Sequence, residues 1–411
     1  MKHIKSHIKT VFILCSLFFV VKGNAQHLEN LIDLALANNP EVQKFELRYK
    51  IASEKINEVN TIPNTEFGVG YFVSTPETRT GAQRFKVSAK QMMPWFNTIS
   101  VREDYLSSIA ETKYEDIVIA KRRLMASVSQ SHYNLYANKA KQKVLVENIE
   151  LLKTYETLAL TSVEVGKASV VDVLRLQMRQ NELQQLLDVL MQQFLAEQTT
   201  FNTLLNRDKD IKVDVIVALL IPSESFEVNS GNIQLHPELL KFDKLYHAVE
   251  QSELLNQKES RPMIGFGLDY INVQRRPNLD FSDNGKDIVI PMVSVSVPIF
   301  NNKYKSKTNQ NELQQQEILS QKQERLNKLT TRLDKAFSDR ISSRISYQTQ
   351  SKNLIQAKNA QNILIKSYET GTIDFKDVLD IQELQLKFQM NQIESVKTYY
   401  VQTTIINYLK Q

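Results

Sequence analysis

Asp377 and Asp380 stand three residues apart in a stretch with helical character, KDVLDIQELQLKFQ. That spacing puts both carboxylates on one helix face, about 4.5 Å apart along the axis. Such a pair is a source of negative field, and Asp377 also has a plainer reading, complementing a helix N-terminus as Asp172 would. Three cations, Arg84, Lys86 and Lys90, alternate with Phe85, Val87 and Ala89 on a segment of period two. No Gly-rich phosphate loop, no nucleophile beside a base and no pocket-like carboxylate pair is present. His27, His132, His236 and His247 are scattered without ligand spacing. The sequence therefore predicts neither catalysis, nor a metal site, nor a cofactor.

The acidic pair must be held by the stretch YETGTIDFKDVLDIQELQLKFQ, residues 368–389, and that stretch is a near copy of VEVGKASVVDVLRLQMRQNELQ, residues 163–184. In both, a lone glycine (Gly166, Gly371) interrupts a long helical pattern and Asp-Val-Leu follows (Asp172, Asp377). A glycine between two helical runs supplies the φ > 0 residue that closes one helix before the next starts. Ser169 and Asp374 each stand three residues before an aspartate, the spacing of an N-cap with an acidic third residue. Each copy thus predicts a hairpin tip. Tyr368 lies one turn before Gly371, where the first copy has Val163, and Arg175 occupies the first-copy position of Asp380.

Between Pro94 and Pro222, and after Pro298, there is no proline. Helices are predicted over residues 97–165, 169–206, 301–370 and 374–410, the rising ones on the order of 100 Å long at 1.5 Å per residue. Helices of that length need a lateral partner. Leu183, Leu187, Leu190, Phe194 and Phe201, and Leu145, Ile149 and Leu152, form coiled-coil seams, while the remaining faces are polar.

Strands are predicted over residues 66–73 and 84–93, with a loop carrying Pro76 and Gly81, and again over 264–273 and 288–297. Phe67, Val69, Tyr71 and Val73 share one face of the first; the second is apolar on one side and cationic on the other. Pro94-Trp95-Phe96-Asn97 and Pro298-Ile299-Phe300-Asn301 lead from the strands into the long helices. Trp95 and Tyr71 suit an interfacial aromatic girdle, and Trp95 equally suits core packing.

The predicted organisation is a leader over 1–25 and a first repeat over 26–210 (strand pair about 66–93, helical hairpin about 97–206, tip at Gly166). A linker follows over 211–233, then a second repeat over 234–411 (strand pair about 264–297, helical hairpin about 301–410, tip at Gly371). Lys2, Lys5 and Lys9, the apolar run 11–21 and Gly23-Asn24-Ala25 make the leader a signal peptide. Cys15, the only cysteine, lies inside its apolar run and does not suit a lipid anchor. Removing the leader also removes Lys2, Lys5, Lys9 and Lys22 of the 51 basic residues, which leaves 47 against 46 acidic ones, nearly balanced. Nucleic acid is not an expected partner.

Strands of about ten residues cross an outer membrane when tilted. Four per chain are too few to close a barrel, for which about eight are needed, and open edges cannot face lipid. A membrane location therefore requires a barrel shared between copies. The two tip motifs, the two Pro-x-Phe-Asn junctions and the duplicated order resemble the TolC family of outer-membrane efflux proteins over essentially the whole mature chain.

The resemblance implies an α+β membrane fold of two tandem repeats, each a long α-helical hairpin plus a β-hairpin. It implies a homotrimer with a twelve-stranded outer-membrane β-barrel continuous with a periplasmic α-helical barrel. Implied partners are outer-membrane lipids, a periplasmic adaptor (membrane fusion) protein and an inner-membrane pump of RND or ABC type. The implied function is passive: an exit duct for efflux or type I secretion. In the family, acidic residues of the second tip narrow the periplasmic opening, and the matching positions are Asp377 and Asp380, stacked as acidic rings in three copies. Tyr368 matches a tip tyrosine that hydrogen-bonds a neighbouring hairpin; ordinary packing is its plainer reading. Arg84, Lys86 and Lys90 would line the barrel lumen, or simply satisfy the alternation. The alternative to a duct is a soluble periplasmic coiled-coil scaffold or adaptor, and the strands speak against it.

Overall fold

The computed structural model describes residues 22–166, 169–215, 218–222 and 233–410. The expected leader falls outside them up to residue 21, with Cys15, as does part of the linker. The helices are α1 (Lys22–Asn38), α2 (Pro40–Val59), α3 (Thr98–Glu164), α4 (Val170–Leu204), α5 (Pro237–Glu259), α6 (Lys303–Glu369) and α7 (Phe375–Lys410); the strands are β1 (Glu66–Tyr71), β2 (Glu77–Thr78), β3 (Gly81–Met93), β4 (Met263–Gln274) and β5 (Ile288–Ser296). The result is mostly helical with one antiparallel sheet. No described helix is long and apolar enough to cross a membrane.

The chain divides into two compact units: Met1–Lys44, Val118–His236 and Leu326–Gln411 form the first, Phe45–Ile117 and Pro237–Arg325 the second. In the first, the two helical hairpins share a core. Leu145, Ile149, Leu152, Tyr155 and Ala159 of α3 meet Val173, Leu176, Leu183 and Leu187 of α4, and the same cluster takes in Tyr368, Phe375, Val378 and Leu386 from α6 and α7. Of the heptad-spaced residues, Leu145, Ile149, Leu152, Leu183, Leu187 and Phe201 are buried, and Leu190 and Phe194 half-buried. A second cluster packs Leu31, Ala35 and Val42 of α1 and α2 against Leu124, Val128, Leu135 and Phe201.

Amides supplement this thin core. Gln382 Nε2 donates to Asn148 Oδ1 at 2.9 Å, Asn148 Nδ2 to Gln389 Oε1 at 3.1 Å, and Gln361 Nε2 to the Tyr155 hydroxyl at 2.6 Å. Lys141 of α3 donates to Glu394 of α7 at 2.7 Å. Buried polar groups left without partners would each cost about 1–3 kcal/mol, so these bonds specify which helix faces meet.

In the second unit the strand order is β1-β3-β4-β5, all antiparallel, with β2 folded onto β3. Register defines two faces. Val69 pairs with Val87, which pairs with Tyr270, which pairs with Val289. Gly68, Ser88, Asp269 and Ile290 form the adjacent row, on the opposite face. Apart from Gln91 and Asn272 the first face is apolar, and much of it is bare: Phe67 is 78% exposed, Val69 82% and Val293 72%. β3 starts at Gly81 rather than at residue 84, because a bulge between Gln83 and Phe85 breaks the period of two.

Burial works against the charged form of Glu394, but Lys141 and Lys397 outweigh it and hold its pKa below the usual 4.5. A depressed carboxylate contributes stability that is complete at neutral pH and lost as pH falls through the folded-state value. Melting of the wild type should therefore weaken below the ordinary carboxylate range, and Glu394→Gln should flatten that acid limb; unchanged limbs in thermal melts from neutral to acid pH would contradict the pairing.

Candidate functional site

Gly166, Asp172, Tyr368, Gly371, Asp377 and Asp380 all lie in the first unit. Gly166 and Gly371 have φ of +73° and +75°, and a side chain at either would meet open space. The backbone turn alone demands glycine there. At the second tip Gly371 N–H bonds Tyr368 O at 2.9 Å and Thr372 N–H bonds Ser367 O at 3.0 Å, the paired closure of a helix C-terminus. Ser169 caps α4, its hydroxyl accepting from Val171 N–H at 3.1 Å. The matching side chain of Asp374 makes no such bond among the described residues; both tips share the backbone bond, Asp172 N–H to the Ser169 carbonyl at 3.0 Å and Asp377 N–H to the Asp374 carbonyl at 3.2 Å.

The tips differ in charge. Arg175 stands 3.6 Å from Asp172, whose side chain is mostly buried, so the first tip is internally neutralised. On α7, Glu383 has Arg179 of α4 at 3.9 Å. Asp377 and Asp380, both exposed, have no ion-pair partner among the described residues. The second tip therefore presents two uncompensated carboxylates on one helix face, a fixed negative field for any ion passing there.

Tyr368 links the tips from inside. Its ring meets Phe375 edge-on at 4.8 Å and is buried. Its hydroxyl is also buried and meets no partner at hydrogen-bond geometry within the described residues; the hydroxyl of Ser162, of the other hairpin, donates to the Leu158 carbonyl at 2.9 Å. Burial raises the phenol's pKa above 10.0; the Ser162 side chain opposes this and the charge of Asp172 adds to it.

The three cations of β3 lie in the second unit. Lys86 and Lys90 share the polar sheet face with Ser88. Lys86 is ion-paired with Asp269 of β4, which sequence reasoning missed although its parity with Gly265 and Gly267 marks it as polar-face. Arg84, at the bulge, donates from Nε to Gln274 Oε1 at 3.1 Å. Trp95 is half-buried and stacks edge-on with Phe96 at 5.6 Å, while Tyr71 is exposed. Asn97 and Asn301, alike in sequence, act differently: Asn97 adopts φ +61°, whereas the Asn301 side chain accepts from Lys303 N–H at 2.8 Å.

Removing the orphaned hydroxyl by Tyr368→Phe should leave stability within about 1 kcal/mol of wild type, whereas Tyr368→Ala, which empties the space against Phe375, should cost about 3 kcal/mol. Thermal melts of the detergent-solubilised variants decide this; a large loss in Tyr368→Phe would show that the hydroxyl has a partner.

No protein-family model matches the chain, and no curated protein matches it. Solved structures do. A crystal structure of CusC, from work on conformational changes accompanying folding and transmembrane channel formation, matches with TM-score 0.77 at 14% identity, over 94% of this chain and 92% of that one. The outer membrane protein VceC of Vibrio cholerae matches at 0.74 and 14%, over 94% and 96%. The CmeC outer membrane channel of Campylobacter jejuni matches at 0.74 and 14%, over 93% and 85%. At such identities the likeness is one of fold, and the chain has the fold of these outer-membrane channels.

Proposed function

We propose that the protein is an outer-membrane exit duct, passing substrate delivered from the periplasm by an inner-membrane pump through a periplasmic adaptor. The observation that carries this reading is the bare apolar face of the sheet. Phe67, Val69, Phe266, Leu268, Val289, Val293 and Val295 stand exposed together, while the charges of Lys86, Lys90 and Asp269 lie on the opposite face, with Ser88 among Ile271, Ile290 and Met292. Apolar-out, polar-in alternation on strands of this length is what lipid requires of a barrel wall. A soluble scaffold would leave that face in water, where a patch so large promotes aggregation.

The edges support the oligomer. β1 and β5 are the two ends of the strand path, and their directions are opposite, so β1 of one copy can pair antiparallel with β5 of the next. Three copies give a closed barrel of twelve long strands and remove every edge. The helical hairpins then belong to the periplasm, with Asp377 and Asp380 as acidic rings that narrow the tip. Transport is passive; nothing in the tip or the sheet is arranged for bond making. Selection of cargo lies with the pump.

In a planar bilayer the purified protein should insert and give a small, cation-preferring conductance. Asp380→Ala should weaken that preference and Asp377→Ala/Asp380→Ala should abolish it, a change on the order of several-fold in permeability ratio. A protein that stays soluble without detergent and never inserts would sink the reading and favour the scaffold.

A further inference from the structure

We infer that Asp269 is a specificity-determining residue of the passage at the level of the strands, the counter-charge that keeps the polar sheet face from favouring anions. The inference rests on the duct reading above.

Asp269 stands alone as an acid in the middle of that face. Directly across the β3–β4 ladder is Ser88, and the diagonal positions are Lys86 and Lys90, within reach of a long side chain. The Asp269 side chain is only 3% exposed, against 39% for Lys86. One carboxylate oxygen takes the Lys86 ammonium, and the other, Oδ1, is buried without any hydrogen-bond partner. Ser88 does not serve it, since its hydroxyl is turned to the Gly68 carbonyl at 3.4 Å. A buried carboxylate oxygen left open costs free energy unless its charge is used. Lys90, on the other diagonal, has no ion pair among the described residues.

The charges on the polar side can be counted by sign. Lys86 and Lys90 are positive; Asp269 and, opposite Lys90 at the end of β1, Glu66 are negative, while Arg84 at the bulge turns to Gln274. The face is balanced in each copy. Neutralising Asp269 leaves one positive charge, and neutralising Lys86 leaves one negative charge. Because a closed barrel repeats the face in every copy, a single substitution changes the wall charge in each, in a low-dielectric surround that focuses the field.

The test is the reversal potential in a salt gradient across a planar bilayer. It uses full-length protein, both with the native tip and with Asp377→Ala/Asp380→Ala, so that the tip carboxylates do not set the selectivity. Asp269→Asn should raise the anion-over-cation permeability ratio on the order of threefold. Lys86→Met should lower it comparably, and Lys86→Met/Asp269→Asn should return it to the parent value. Open channels whose selectivity is the same in all three variants overturn the inference while leaving the duct reading intact. If Asp269→Asn fails to assemble, Lys86→Met and the charge-neutral double variant carry the decision, and the absence of a cation-directed shift in Lys86→Met overturns it. A parent protein without conductance overturns the duct reading and this inference with it.

Discussion

Everything in this structure follows from a sheet that one chain cannot finish. β1, β3, β4 and β5 leave two edges of unpaired backbone and one apolar face standing free. Water tolerates neither for long: open edges template further pairing, and a continuous apolar face drives association. Lipid accepts the face and rejects the edges. A ring of copies seated in lipid satisfies both demands, and the hairpin directions permit it without any change of fold.

The helical unit meets a related constraint differently. Two long hairpins cannot wrap a globular core, so burial is confined to a stripe between helices, and amides take over where apolar side chains run out. Gln361, Gln382, Gln385 and Gln389 lie within or beside that stripe, bonded to Tyr155, Asn148 and each other. Hydrogen bonds of this kind add little net stability but make misaligned packing costly. At the tip the same economy leaves one aspartate of the first repeat paired with Arg175 and two of the second repeat unpaired, so a duplicated sequence ends in unequal charge.

Much of this was legible in the residues because the signals were local. Gly166 and Gly371 mark turns that only φ > 0 allows, Leu145 to Leu187 carry a heptad spacing, and the strands keep a period of two. What escaped depended on pairing across the chain. The bulge after Gln83 hid the first residues of β3, and β2 is too short to show any period. Asp374 was expected to cap α7 by analogy with Ser169, but the turn there closes through backbone. Asp269 carries no local signal, and only its register places it diagonal to two lysines. Asn97 and Asn301 occupy matching motifs yet serve as a left-handed turn residue and a side-chain cap, a distinction that only backbone geometry makes.

The central claim is that β1 of one copy closes on β5 of the next. The only cysteine, Cys15, lies in the expected leader, so introduced thiols have no competitors once the leader is removed. Val69→Cys on β1, combined in turn with Val289→Cys, Pro291→Cys and Val293→Cys on β5, should give under oxidation a covalent ladder that ends at three chains for at least one pairing. The ladder should be absent when either cysteine is omitted. Monomer bands alone across all pairings, from protein extracted out of the outer membrane in its assembled form, would contradict the shared sheet.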